Sequence, residues 1–300
     1  MVGDLRERVA TGESLCGDGA WGTELMSRGL RPGDCFEELG LTRPELLAEI
    51  ADGYIEAGAD LVTTNTFGGS PIALDRHGLA DRTEEINRAA VAAVRDVARG
   101  RALVSASVGP TGAILAPVGD VDPAAVRAGF DRQVGALVAA GADVICIETM
   151  MDLVEARLAV EAARAADPSI PIIATMTFDS TPRGFFTTMG VSVEQACVGL
   201  IDAGADLIGA NCGTGIDAMV ELARELRAHT RAALVIQSNA GLPEQRGGEL
   251  IYPESPELMA ARVPDLLGLG VAVIGGCCGT GPAHIRAIRA AIDRHRRDHR

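Results

Sequence analysis

The chain contains no lysine; all 27 of its cations are arginine, set against 41 acidic side chains for a net charge of −14. We read the missing lysine as genome composition rather than chemistry. The net charge would repel a phosphate backbone, and no stretch joins a basic cluster to aromatic platforms, so nucleic-acid binding is not expected. Aromatic residues are scarce, at 3% of 300 residues. No window of about 18 uncharged apolar residues occurs, so no membrane association is expected. The first residues carry Asp4, Arg6, Glu7 and Arg8 where a secretion signal would need an apolar run. The expectation is a soluble, cytoplasmic protein. The basic run Arg294–Arg300 reads as a solvated helix end rather than a binding patch.

Hydrophobic residues make up 47% of the chain, and its 36 glycines follow no triplet period, which excludes disorder and collagen. The length suits two ordinary domains or one large α/β barrel. Short apolar runs recur throughout, each followed by a loop and a segment of helical periodicity. They span Leu15–Asp18, Asp60–Phe67, Ala102–Val108, Asp143–Thr149, Pro171–Phe178, Asp206–Cys212, Ala233–Asn239 and Val271–Cys277. Three are introduced by one phrase: Glu56-Ala-Gly-Ala-Asp60, Ala140-Gly-Ala-Asp143 and Asp202-Ala-Gly-Ala-Asp206. Each reads as a helix ending on a glycine of positive φ before a buried strand, and Leu267-Gly-Leu-Gly-Val271 does the same in the last unit. Buried strands alternating with helices indicate a parallel sheet covered on both faces.

Eight such units fit an α/β fold of the (β/α)8 TIM barrel type better than a doubly wound sheet. The dinucleotide glycine signature is met only in part by Gly17-Asp-Gly19-Ala-Trp-Gly22. No linker interrupts the pattern, so residues 1–300 are expected to form one domain. The longer loops, 111–122, 179–190 and 240–255, are where a barrel builds sites.

Barrel chemistry collects at the C-terminal ends of the strands. That rule selects Asp18, Asn65, Ser107, Glu148, Thr177, Cys212, Asn239, Cys277 and Cys278. Seven cysteines, an odd number, do not suggest a disulfide framework in a reducing compartment. Three of them stand on the strand-end list, from the sixth and eighth strands, close enough to converge on one ion. Adjacent cysteines on a strand ordinarily face opposite ways, but Gly275, Gly276 and Gly279 allow a break in that alternation. Three thiolates with an open fourth position suit catalytic zinc at the C-terminal face. The alternatives are small buried hydrophobes, the reading given to Cys146, Cys197 and Cys16, or a strained vicinal disulfide. Cys35 is ambiguous, and the five histidines read as surface or capping residues.

Gly275-Gly-Cys-Cys-Gly-Thr280 with Pro282 and His284, together with Gly209-Ala-Asn-Cys-Gly213, resembles the zinc-dependent homocysteine S-methyltransferase family. That family includes the homocysteine-binding module of cobalamin-dependent methionine synthase, betaine–homocysteine methyltransferase and S-methylmethionine-dependent enzymes. Asp18-Gly-Ala-Trp-Gly-Thr-Glu24, Ala57–Phe67 and Ser238-Asn-Ala-Gly-Leu-Pro243 support the resemblance, which runs from about Ser14 to Ile292. It implies that Cys212, Cys277 and Cys278 bind Zn2+, with the oxygen of Asn239 in the fourth place until substrate displaces it. It implies that Asp18 and Glu148 hold the ammonium of homocysteine while backbone amides at Gly19 and Ala20 take its carboxylate. Capping by Asp18 and an ion pair of Glu148 are the structural alternatives. Asn65 would touch substrate or support its loop.

The chemistry implied is deprotonation of homocysteine's thiol by coordination, then attack on a methyl group to give methionine. For the donor, Gly33-Asp-Cys-Phe-Glu-Glu38 and Leu41-Thr-Arg-Pro-Glu45 look more like the cobalamin-dependent synthase than the betaine enzyme. The corrinoid signature is absent, since Asp75-Arg-His77-Gly-Leu-Ala80 has alanine where glycine is needed. With 300 residues taken up by the barrel, a methylcorrinoid or methylfolate system would sit on a separate protein. Betaine is close behind, with Trp21 and Phe67 as a partial aromatic cage. A methyltransferase for another thiol or selenol, an S-methylmethionine-dependent enzyme, and a non-catalytic zinc-binding barrel subunit are the alternatives. The acidic surface leaves a homo-oligomer open.

Overall fold

A computed structural model of the chain describes residues 3–246 and 249–299, so Arg300 of the terminal basic run lies outside the described residues. Eight parallel strands form one sheet: β1 (Leu15–Cys16), β2 (Leu61–Thr63), β3 (Leu103–Val108), β4 (Val144–Met150), β5 (Ile172–Met176), β6 (Leu207–Asn211), β7 (Ala233–Ser238) and β8 (Val271–Gly276). From β2 to β8 each strand pairs with its neighbours in chain order, and β8 returns to pair with β1, Leu15 opposite Val273. The eight-strand pattern read from the sequence is the observed one, a near-closed TIM-like barrel. Its seam lies between β1 and β2, where among the described residues no ladder is formed.

Eight outer helices follow the strands: α1 (Pro44–Glu56), α2 (Thr83–Ala98), α3 (Pro123–Ala139), α4 (Leu153–Ala166), α5 (Val193–Ala203), α6 (Ile216–His229), α7 (Pro256–Gly268) and α8 (Pro282–Asp298). Their starts are marked chemically. Asp122 and Asp152 accept from backbone amides of the first turn, Ser192 forms a capping box with Gln195, and Ser255 caps α7. Proline opens α1, α3, α7 and α8, where its missing N–H costs nothing. The terminal basic run continues α8 as far as Asp298.

The repeated Ala-Gly-Ala-Asp phrase has a second meaning beyond its glycine. Gly58, Gly141 and Gly204 do end their helices at positive φ (101°, 88° and 106°). The aspartate that follows then clasps the preceding strand. Asp60, Asp143 and Asp206 accept from the amides of Cys16, Val104 and Ile172 at 2.8–2.9 Å, and donate their own N–H to the carbonyls of the same residues. The carboxylate thus satisfies an amide at the entry of a buried strand. At Asp60 this clasp spans the seam.

Inside the barrel, Leu15, Leu61, Leu103, Val144, Cys146, Ile173, Leu207, Val235 and Val273 form a closed apolar floor. Leu5, from a short N-terminal helix (Leu5–Ala10), plugs it from below and is fully buried, which contributes about 2 kcal/mol. A larger core fills the layer between sheet and helices. Two of the long loops carry hairpins that periodicity did not suggest, Asp179–Thr181 with Gly184–Phe186 and Glu244–Arg246 with Glu249–Ile251. In the first, Thr181 bridges the turn by donating to the carbonyl of Gly184, itself at φ 107°.

Candidate active site

Above the apolar floor, the inward-facing positions turn polar. Side chains two residues apart on a strand face the same way, so Thr63 follows Leu61, Ser105 and Ser107 follow Leu103, Glu148 follows Cys146, and Gln237 follows Val235. Thr63, Ser107, Glu148 and Gln237 line a cavity of about 300 Å³ at the C-terminal end of the barrel, whose wall also includes Gly19, Trp21, Asn65, Phe67, Cys212, Cys277 and Cys278.

The three strand-end cysteines meet. Their sulfurs all lie within 4.8 Å of one another, with Cys212 and Cys278 4.0 Å apart. Cys212 leaves β6 at φ 60°, a backbone region sparsely used by side-chain-bearing residues, and its amide donates to the carbonyl of Gln237. Thr149, at the end of β4, has the same signature at φ 61°. Cys277 and Cys278 avoid the strand alternation because β8 ends at Gly276. The chain then turns, with Thr280 N–H and hydroxyl both bonded to the carbonyl of Cys277. Gly279 is required there: its φ is 79°, and a Cβ would stand 2.1 Å from Tyr252 Cγ.

Within the trio, hydrogen bonds from Cys277 and Cys278 hold the Cys212 thiol well below its ordinary range, while the same contacts push Cys277 and Cys278 up. Three thiols this close cannot all ionise readily without a cation among them. The side chain of Asn239 also favours the Cys212 thiolate, and its Oδ1 is buried without a partner. Three convergent sulfurs match the donor preference of a thiophilic ion. The other cysteines fall elsewhere: Cys16, Cys146 and Cys197 are buried in the core, and Cys35 lies in the loop before α1.

Glu148 accepts from the Ser107 hydroxyl, and burial pushes its carboxyl up to about 7. Asn211 braces this region: its Oδ1 accepts from Thr149 N and Thr175 Oγ1, and its Nδ2 lies 3.5 Å from Glu148 Oε2 and 3.8 Å from Cys277 Sγ. Asp18 is 2% exposed and stands behind the wall. Burial raises it to about 6, while bonds from Thr63 and Trp21 to Oδ2 pull the other way. Asn65 reaches the cavity, but its Nδ2 donates to the Phe36 carbonyl at 2.5 Å, supporting the loop before α1. Gly19 is packed so closely that a Cβ would stand 2.8 Å from Tyr54 Cε1. The Ala20 amide is already engaged, donating to the carbonyl and hydroxyl oxygens of Thr280 at 3.2 Å each.

A family model described as homocysteine S-methyltransferase matches residues 15–292. The chain belongs to the homocysteine S-methyltransferase family. It is 34% identical over 303 residues to a methionine synthase of Mycobacterium tuberculosis, covering 95% of this chain and 25% of that protein. The methionine synthase of Mycobacterium leprae gives 33% over 308 residues, covering 97% and 25%. The chain thus spans about a quarter of the length of the curated relatives it matches. Among solved structures, the metallated form of the homocysteine methyltransferase MmuM from Escherichia coli superposes with a TM-score of 0.79 at 25% identity, covering 95% of this chain and 99% of that one. Family membership supports methyltransferase activity. Among the described residues no helix is long and apolar enough to cross a membrane.

Strand-end reasoning missed Gln237 and Asn211. Both could have been found from the sequence, as polar residues two positions beyond the apolar floor or in step with it on otherwise apolar strands.

Proposed function

We propose that the chain is a zinc-dependent homocysteine S-methyltransferase that makes methionine, working as one cytoplasmic barrel domain over residues 1–300. The observation that carries this reading is the trio Cys212, Cys277 and Cys278, opening onto a cavity that also holds Glu148. These three thiols and the Asn239 oxygen are the groups that would hold the ion. Zinc, when bound, supplies a Lewis acid that keeps a thiol deprotonated yet reactive at neutral pH.

The chain's own residues bind and orient the acceptor. Glu148, with Asp18 behind it, supplies negative charge for the ammonium, and its raised affinity for a proton leaves it ready to ionise against a cation. The Gly19 amide is the group offered to the carboxylate; Ala20 contributes through its bond to Thr280, which fixes the turn. Asn65 acts by holding Phe36 and its loop at the cavity edge. Trp21, Phe36 and Phe67 exclude water from the place where a methyl group must be held in line with the acceptor sulfur. The methyl donor in this reading is a methylcorrinoid or methylfolate system carried on a separate protein, or betaine.

The test is to supply the purified, zinc-loaded protein with homocysteine and, separately, betaine, S-methylmethionine, dimethylated sulfonium compounds or methylcobalamin, and to measure methionine. Turnover with any one identifies the donor. Methionine from none, with a methylated corrinoid protein included, overturns the reading.

A further inference from the structure

We propose that Gln237 is a substrate-binding residue whose side-chain carbonyl accepts a hydrogen bond from the α-ammonium group of the amino-acid thiol. The inference rests on the function proposed above and adds a residue to its binding site. Four observations lead to it.

The first is direction. Val235 belongs to the apolar floor of the barrel interior, and Gln237, two residues further along β7, points the same way and lines the cavity. The second is an unmet demand. Gln237 is 7% exposed, and its Oε1 is buried with no hydrogen-bond partner in a barrel whose other interior polar groups are largely paired. Such an oxygen is costly to leave alone and gains when a ligand brings a donor. The third is space. Gly275 faces Gln237 across the β7–β8 ladder, and a Cβ there would stand 3.3 Å from Gln237 Cγ and 3.0 Å from the carbonyl of Asp18. Glycine at that position leaves room for the amide. The fourth is anchorage. The Gln237 carbonyl accepts from the Cys212 amide at 3.1 Å, so the residue that faces the cavity is tied to the backbone that presents a thiol.

The chemistry of the orphan decides the ligand group. An amide oxygen only accepts, and of the two polar ends of an amino acid only the ammonium donates. An ammonium has three N–H bonds to place. Carboxylates at Glu148 and Asp18 supply charge, and a neutral carbonyl supplies a further acceptor without adding negative charge beside the thiol cluster.

The experiment is calorimetric titration of the zinc-loaded protein with homocysteine and with 4-mercaptobutyrate, which is homocysteine without its amino group. The wild type is expected to favour homocysteine. Gln237→Ala should weaken homocysteine by about tenfold and leave 4-mercaptobutyrate within about twofold, with zinc content unchanged. Gln237→Met, which keeps the length of the side chain but not its carbonyl, should behave like Gln237→Ala and guards against a packing effect. Gln237→Glu, which restores an acceptor, should keep the preference for homocysteine. Equal weakening of both ligands, or no weakening of homocysteine, would overturn the assignment. A wild-type protein that makes methionine but shows no preference for the amino group overturns it while sparing the proposed function; one that binds no homocysteine at all overturns both.

Discussion

Asp18 and Thr63 join the two strands that the sheet itself leaves apart. Oδ2 of Asp18 accepts from the backbone amide of Thr63 at 2.7 Å and from its hydroxyl at 2.5 Å, across the seam between β1 and β2. The indole of Trp21 donates to the same oxygen at 3.0 Å. A carboxylate proposed to serve the substrate is therefore also a structural clasp, one layer above the Asp60 clasp on the same seam.

Removing that clasp should be measurable as stability. Asp18→Ala leaves the Thr63 amide and the Trp21 indole without an acceptor in a buried setting, and we expect a loss of about 2–4 kcal/mol. Thr63→Val, which keeps the amide bond and loses only the hydroxyl, should cost about 1 kcal/mol. Urea unfolding followed by circular dichroism reads both. Equal stabilities for Asp18→Ala and wild type would show that the seam does not depend on the clasp.

Metal analysis tests the thiol cluster without any assumption about the donor. The purified wild type is expected to hold about one zinc per chain, the number one three-thiolate site accepts, and Cys212→Ala should lose it. Cys197→Ala serves as control, because that thiol is buried on α5 and belongs to the core. Asn239→Ala should retain the ion but release it faster to a chelator. Stoichiometric zinc in Cys212→Ala would remove the site.

The barrel was legible because its physics repeats. Eight buried strands, each preceded by a helix and most by a helix-ending glycine, leave one pattern in the sequence, and the strand-end rule then brings Cys212, Cys277 and Cys278 to one place. What was not legible depends on partners from distant segments. Nothing near Asp60, Asp143 or Asp206 announces that each clasps the strand before it. Ala20 lies beside the cavity, yet its amide is taken by Thr280, 260 residues away. Asn65 reads from sequence as suited to ligand or loop, and its bond to the Phe36 carbonyl, 29 residues away, is one that no local pattern announces. The two hairpins escaped notice because three-residue strands are too short to show alternation.

Glu148 should make stability depend on pH. Burial raises its carboxyl to about 7 from an ordinary value of 4.5, so between those values the folded protein binds more protons than the unfolded chain. Stability from this group is present below about 4.5 and is lost as pH rises through 7. Asp18, raised to about 6, adds a loss of the same sign at lower pH. Glu148→Gln removes the first contribution, and in the metal-free protein it should gain of order 2–3 kcal/mol over wild type at pH 8 and close to nothing at pH 4.5. Urea midpoints across that range check it. A difference that does not vary with pH would mean that Glu148 is not held neutral by its surroundings.

Two glycine substitutions should move stability in opposite directions. Gly209 lies in β6 opposite Val235, and a Cβ there would stand 1.8 Å from the Val235 carbonyl oxygen and 2.8 Å from its carbon. The obstacle is backbone in a central ladder, which cannot rotate away, so Gly209→Ala should cost about 3 kcal/mol or more. Because β6 leads into Cys212 and β7 carries Gln237, the same change should weaken zinc retention. Gly135 lies inside α3 with nothing within 4 Å of the site a Cβ would occupy. Gly135→Ala should stabilise the protein by about 0.5–1 kcal/mol through helix propensity and leave zinc untouched. Thermal unfolding of the two variants beside wild type reads the signs directly. A tolerated Gly209→Ala would mean that β6 and β7 do not approach as closely as their pairing requires.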